Sequence, residues 1–124
     1  MTQKKPPSLN PSPAPGGGMD ERTFEQLASD AFRRVLDMFE DVDPEDADVE
    51  PGGDVIRIDY RGGGHVVINT QRPARQIWLA GGKTAWHLSY DEARGEWLDD
   101  KGRGEELFAI VRRLTRDAIG IELP

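Results

Sequence analysis

Apolar and polar residues alternate most clearly across residues 66–80, where two runs rich in β-branched residues flank a short polar link. The runs are Val66-Val67-Ile68 and Ile77-Trp78-Leu79-Ala80, and Pro73 lies in the link. That arrangement predicts two strands joined by a turn. Successive side chains on a strand point to opposite faces, so Ile77 and Leu79 share one face while Gln76 and Trp78 share the other. By the same parity Val66 and Ile68 oppose Val67, Asn69 and Gln71. With the aliphatic set turned to the core, Asn69, Gln71, Gln76 and Trp78 stand together on the outer face. A tryptophan among amides on an open sheet face suits a contact surface.

Residues 20–42 follow a different period. Phe24, Leu27, Ala28, Ala31, Val35, Met38, Phe39 and Val42 recur at three- and four-residue steps, which predicts one amphipathic helix. Asp20 and Glu21 open it, where negative charge suits the helix dipole. Asp30, Asp37, Glu40 and Asp41 fall on its polar side. Like charges one turn apart oppose a helix, and acids near its C-terminal end oppose the dipole. Stability alone does not select that placement.

The rest of the chain reads as short strands between turns. Ala47 and Val49 alternate with Asp46, Asp48 and Glu50 in a first strand, and Val55-Ile56-Arg57-Ile58-Asp59-Tyr60 forms a second. After residues 66–80 come Thr84-Ala85-Trp86-His87-Leu88-Ser89-Tyr90 and then Glu96-Trp97-Leu98-Asp99. Glycine clusters at positions 52–53, 62–64 and 81–82 mark turns. A second helix is predicted over residues 103–119, with Leu107, Phe108, Val111, Leu114 and Ala118 on its apolar face and Gly120 ending it. Short connections make consecutive strands antiparallel. The predicted class is α+β, a two-layer α/β sandwich with an antiparallel sheet of about six strands and the N- and C-terminal helices on one face. Such a sheet is about 25 Å wide, and two helices about 10 Å apart cover one face of it but not both. The other face is left wet, with Trp78 on it.

Residues 1–19 are rich in proline, serine and glycine and read as a disordered tail, leaving residues 20–124 as a single folded domain. There is no cysteine, which excludes disulfides, thiolate metal sites and a cysteine nucleophile. No apolar run reaches the roughly 18 residues needed to span a bilayer, and the N-terminus lacks the features of a secretory or transit signal. A cytoplasmic protein without membrane contact is expected. The net charge of −7 is concentrated, because residues 20–50 carry twelve acids against three arginines while residues 51–124 balance. Such a face points to cations or a basic partner and away from nucleic acid.

Catalytic chemistry finds little support. His65 and His87 lie in strand-like segments outside any nucleophile motif, and a structural or surface role is expected of each. The glycine clusters lack the strand–loop–helix context of a phosphate-binding loop. Carboxylates are hard donors suited to iron, manganese, calcium or magnesium. Without EF-hand spacing, open acids give weak, many-sited binding. The plain alternative is a solvated face whose charges deter edge-to-edge aggregation. For Trp78 the alternative is burial against a second layer or the tail, but the tail has little apolar material and no predicted element remains to form another layer.

The string Val67-Ile68-Asn69-Thr70-Gln71-Arg72-Pro73, followed by Arg75-Gln76-Ile77-Trp78-Leu79-Ala80, resembles the signature of the frataxin family, which includes bacterial CyaY-type and mitochondrial proteins. The first helix agrees through Asp20-Glu21, Phe24-Glu25, Leu27-Ala28 and Phe39-Glu40-Asp41, and so do Trp86-His87-Leu88 and Glu96-Trp97. The similarity runs over residues 20–119. It implies a frataxin-like sandwich and a non-enzymatic role as an adaptor and regulator of iron–sulfur cluster assembly. It also implies weak surface binding of ferrous and ferric iron (Fe2+/Fe3+) and docking on the cysteine desulfurase and iron–sulfur scaffold protein.

Carried over by position, the iron-binding acids are Asp37, Glu40, Asp41, Asp43, Glu45, Asp46, Asp48 and Glu50, with Asp30, Glu25 and Glu21 as outer members. The partner-binding residues are Asn69, Gln71, Gln76 and Trp78. The default is a monomer, with iron-driven oligomers as the alternative. Two competing functions remain open: an iron-independent acidic interaction module, and a ferroxidase or iron-storage protein.

Overall fold

Asp20 begins the first helix by accepting the Thr23 backbone N–H on its carboxylate at 2.7 Å. That hydrogen bond, helped by nearby Arg22 and Arg75, holds the Asp20 carboxyl below its usual range. In the computed structural model, which describes residues 19–102 and 104–124, helix α1 spans Glu21–Met38. Its buried stripe is Phe24, Ala28, Ala31, Phe32, Val35 and Met38, so Phe32 joins the predicted set. The helix stops four residues short of the predicted end at Val42. Glu40 N–H donates to the Asp37 carbonyl at 3.1 Å and Val42 N–H to that of Phe39 at 3.0 Å, the shorter spacing of turns. The physical reason is the one that made Glu40 and Asp41 poor helix-end residues: acids there face the negative end of the dipole. Phe39 remains buried and Val42 half-buried outside the helix, because a three-residue turn repeat imitates the helical period over one turn.

Six strands follow: β1 (Ala47–Gly52), β2 (Val55–Tyr60), β3 (His65–Gln71), β4 (Gln76–Gly81), β5 (Thr84–Asp91) and β6 (Glu96–Asp99). They pair in chain order, every neighbour antiparallel. The predicted meander is therefore the observed one, with β1 at one edge. Ile56, Ile58, Val66, Ile68, Ile77, Leu79, Trp86, Leu88 and Trp97 point to one side and join the buried residues of both helices in one core. Phe24 of α1 meets Trp97 edge-on, with ring centroids 5.9 Å apart.

Helix α2 (Leu107–Ile119) starts four residues later than predicted. Glu106 explains the delay, since it bridges to Leu98 while the Glu105 carbonyl accepts the Asp99 N–H at 2.9 Å. The Glu106 carboxylate then caps the helix, accepting from Phe108 N–H at 2.9 Å and Ala109 N–H at 3.1 Å. Ala118, placed on the apolar face by its spacing, is exposed, whereas Ile110 and Thr115 are buried. The Thr115 hydroxyl meets Tyr60 Oη at 2.7 Å, and burial raises the Tyr60 pKa. Gly120 ends α2 in the left-handed conformation, φ 72°, which glycine adopts at no steric cost.

The assigned tail lies outside the described residues except for Met19, which is buried. No helix among the described residues is long and apolar enough to cross a membrane.

Candidate functional site on the open sheet face and its acidic edge

The face away from the helices carries the four predicted contact residues side by side. Asn69 pairs with Trp78 and Gln71 with Gln76 across β3 and β4, while Trp78 pairs with His87 and Gln76 with Ser89 across β4 and β5. Period-two parity placed all four on this side, and that is where they are. Trp78 is nonetheless half-buried rather than open. Its ring lies flat on the His87 imidazole, with centroids 4.2 Å apart and 16° between the planes. Its indole N–H donates to Gln76 Oε1 at 2.9 Å. Among the described residues no second layer covers it; neighbours in the sheet do. Gln76 Nε2 in turn donates to Ser89 Oγ at 3.1 Å and to Asp100 Oδ2 at 3.0 Å.

His87, Ser89 and Asp100 are therefore part of this site, and sequence reasoning did not place them there. A signal existed for two of them. A two-residue link at Gly82-Lys83 sets Gly81 opposite Thr84, and counting outward from it puts Trp78 opposite His87 and Gln76 opposite Ser89. Asp100 left no such signal. It follows β6, and its own N–H donates to the His87 carbonyl at 2.9 Å.

The predicted acids divide into two groups. Four are engaged by arginines. Glu25 pairs with Arg72, which also lies 3.8 Å from Glu21 and 3.1 Å from Asp54. Asp30 pairs with Arg33 at 3.3 Å, and Asp46 pairs with Arg61. The hydrogen bond to Glu25, followed by the Asp54 and Glu25 charges, raises the Arg72 pKa. The other seven (Asp37, Glu40, Asp41, Asp43, Glu45, Asp48 and Glu50) are exposed, and none forms an ion pair among the described residues.

Within that second group Asp43 Oδ1 accepts the Glu45 N–H at 2.9 Å, fixing the loop. On β1, Asp48 stands opposite Asp59 and Glu50 opposite Arg57. Arg57 is held by Asp59 at 2.9 Å, so that mutual hydrogen bond raises the Arg57 pKa and lowers that of Asp59. Among the described residues no three acids or histidines converge closely enough to hold a metal ion together. The edge offers single hard donors in series, not a cage. Chemically it can attract cations and exchange them quickly.

A family model described as the frataxin-like domain matches residues 17–121. The chain is 36% identical over 105 residues to a protein of Azotobacter vinelandii named iron-sulfur cluster assembly protein CyaY, covering 85% of this chain and 94% of that one. It is 35% identical over 108 residues to a protein of the same name from Pseudomonas aeruginosa, covering 86% and 98%. Among solved structures, frataxin from Psychromonas ingrahamii superposes with a TM-score of 0.76 at 24% identity, over 85% of this chain and 96% of that one, and so shares the fold. Trimeric frataxin from the yeast Saccharomyces cerevisiae, complexed with ferrous iron, superposes with a TM-score of 0.66 at 29% identity, over 77% and 87%.

Proposed function

Because this chain belongs to the frataxin-like family, we propose that it is an iron-binding adaptor and regulator of iron–sulfur cluster assembly. In this reading it docks on the cysteine desulfurase–scaffold complex through Asn69, Gln71, Gln76 and Trp78. It takes up ferrous or ferric iron on the carboxylates of residues 37–50. The observation that carries the reading is the pairing of an ordered amide–tryptophan patch with an edge of seven acids that form no ion pair among the described residues.

Isolated carboxylates bind a hard cation weakly because each pays most of the ion's dehydration alone, and weak binding allows release to a partner. The same negative edge speeds encounter with a basic surface. A ring held in place among amides supplies the short-range contact that edge charges lack. Iron is cargo here, and no residue is assigned a catalytic role.

A second reading, docking that needs no iron, is favoured by the lack of converging acids among the described residues. Measuring affinity for a bacterial cysteine desulfurase–scaffold complex at low and high salt, with chelator and with ferrous iron, separates the two. The adaptor reading expects binding to weaken as salt screens the edge, to persist under chelation, and to carry iron into the complex. Iron that never travels with the complex leaves docking alone. Binding indifferent to salt and to Trp78→Ala overturns both.

A further inference from the structure

The Gln76 amide has two ends that its neighbours tell apart. The Trp78 indole N–H, which reaches Oε1 at 2.9 Å, can only donate; the Asp100 carboxylate, which reaches Nε2 at 3.0 Å, can only accept. A flipped amide presents the wrong atom to both, so its orientation is unique. The flat side of the indole is held as well, by the His87 imidazole stacked at 4.2 Å. Asp100 is itself tied to this point, since its backbone N–H donates to the His87 carbonyl at 2.9 Å. The indole thus has one orientation before any partner arrives, although its two side-chain torsions would otherwise leave it free to swing on an uncovered face.

We infer that His87, together with Asp100 acting through Gln76, is a positioning element that presets the Trp78 ring for docking. The inference rests on the docking role proposed above for this face. A ring already ordered in the free protein loses less rotamer entropy on association, so the same contact yields tighter binding. The arrangement also explains the amide at position 76. Glutamate there accepts the indole N–H equally well but sets a second carboxylate against Asp100. Leucine serves neither neighbour.

The test uses the full chain, nitrogen-labelled, with the Trp78 indole signal identified by its loss in Trp78→Phe. In the wild type that N–H is expected to be as rigid as the sheet amides in heteronuclear relaxation. In His87→Ala and Gln76→Glu it becomes mobile while the backbone spectrum stays dispersed. Affinity for a bacterial cysteine desulfurase–scaffold complex then falls about five- to tenfold, and His87→Phe, which keeps a stacking ring, restores it.

The double substitution His87→Ala/Trp78→Ala is expected to bind no more weakly than Trp78→Ala alone, because a residue that acts through another adds nothing once that other is gone. Additive losses, or an indole that stays rigid in both His87→Ala and Gln76→Glu, overturn the positioning role. If Trp78→Ala leaves binding intact, the docking role is what fails, and the relaxation of the free protein still decides whether the ring is held.

Discussion

Two strands separate Trp78 on β4 from Asp48 and Glu50 on β1, all on the same side of the sheet, yet their surroundings differ in kind. At Trp78 the indole N–H is held by Gln76, and the Gln76 amide by Ser89 and Asp100. Along residues 37–50 seven carboxylates have no ion pair among the described residues, and no three of them gather. The patch is preorganised, and such surfaces favour one partner in one pose. The edge is unorganised and repels itself, and such surfaces favour any cation in many poses. Binding a protein and carrying a metal ion loosely ask for these opposite qualities.

The sharpest way to separate the two faces of the sheet is to remove a tryptophan from each. Trp97 is buried against Phe24 and Tyr90, with centroids at 5.9 and 5.3 Å, and Trp97→Ala is expected to cost about 3–5 kcal/mol in chemical denaturation. Gly81→Ala, also on the helix side, brings a Cβ to 2.9 Å from both Leu114 Cδ1 and Val66 Cγ2. Overpacking of that kind is expected to cost about 1–3 kcal/mol in the same assay. Trp78→Ala loses only a half-buried ring and one hydrogen bond, so about 1 kcal/mol is expected. Its larger effect falls on association with the desulfurase–scaffold complex, where a hot-spot loss of about thirtyfold is expected in calorimetry. A Trp78→Ala protein that unfolds as readily as Trp97→Ala breaks the distinction between the faces.

The edge predicts the opposite sign. Combined Asp37→Asn, Glu40→Gln and Asp41→Asn relieves self-repulsion and is expected to raise stability by about 0.5 kcal/mol, seen as a higher urea midpoint. The same protein is expected to retain less iron.

The smallest effect is on pH dependence. Because the folded Asp20 carboxyl lies below the ordinary aspartate value of about 3.9, its contribution is fully present above that pH and is lost as pH falls further. Asp20→Asn, which keeps a capping oxygen, is expected to flatten the acid limb of the melting curve there.

Elements and faces were legible because both rest on period. Alternation placed Asn69, Gln71, Gln76 and Trp78 together, and the three- and four-residue steps found both helices. Boundaries escaped where local hydrogen bonds competed with the period. Phe39 and Val42 look helical by spacing but sit in turns, and Glu106 gives its backbone to a bridge before it caps α2. Within the site, Asp100 was invisible because its role depends on where the chain returns after β6, and no local pattern encodes that. Nor does any pattern reveal which acids find an arginine. Arg72 joins Glu21, Glu25 and Asp54 from three separate segments. Membership in the acidic run therefore overstates the free edge by four residues.

One titration tests the central division of labour. Amide and indole signals of the labelled chain are followed first with ferrous iron and then, after chelation, with the desulfurase–scaffold complex. Two patterns are predicted: iron broadens residues 37–50 and spares Asn69, Gln71, Gln76 and Trp78, while the complex shifts those four together with His87. Iron broadening spread evenly over the surface, or a complex that perturbs the helix face instead of the sheet, contradicts it.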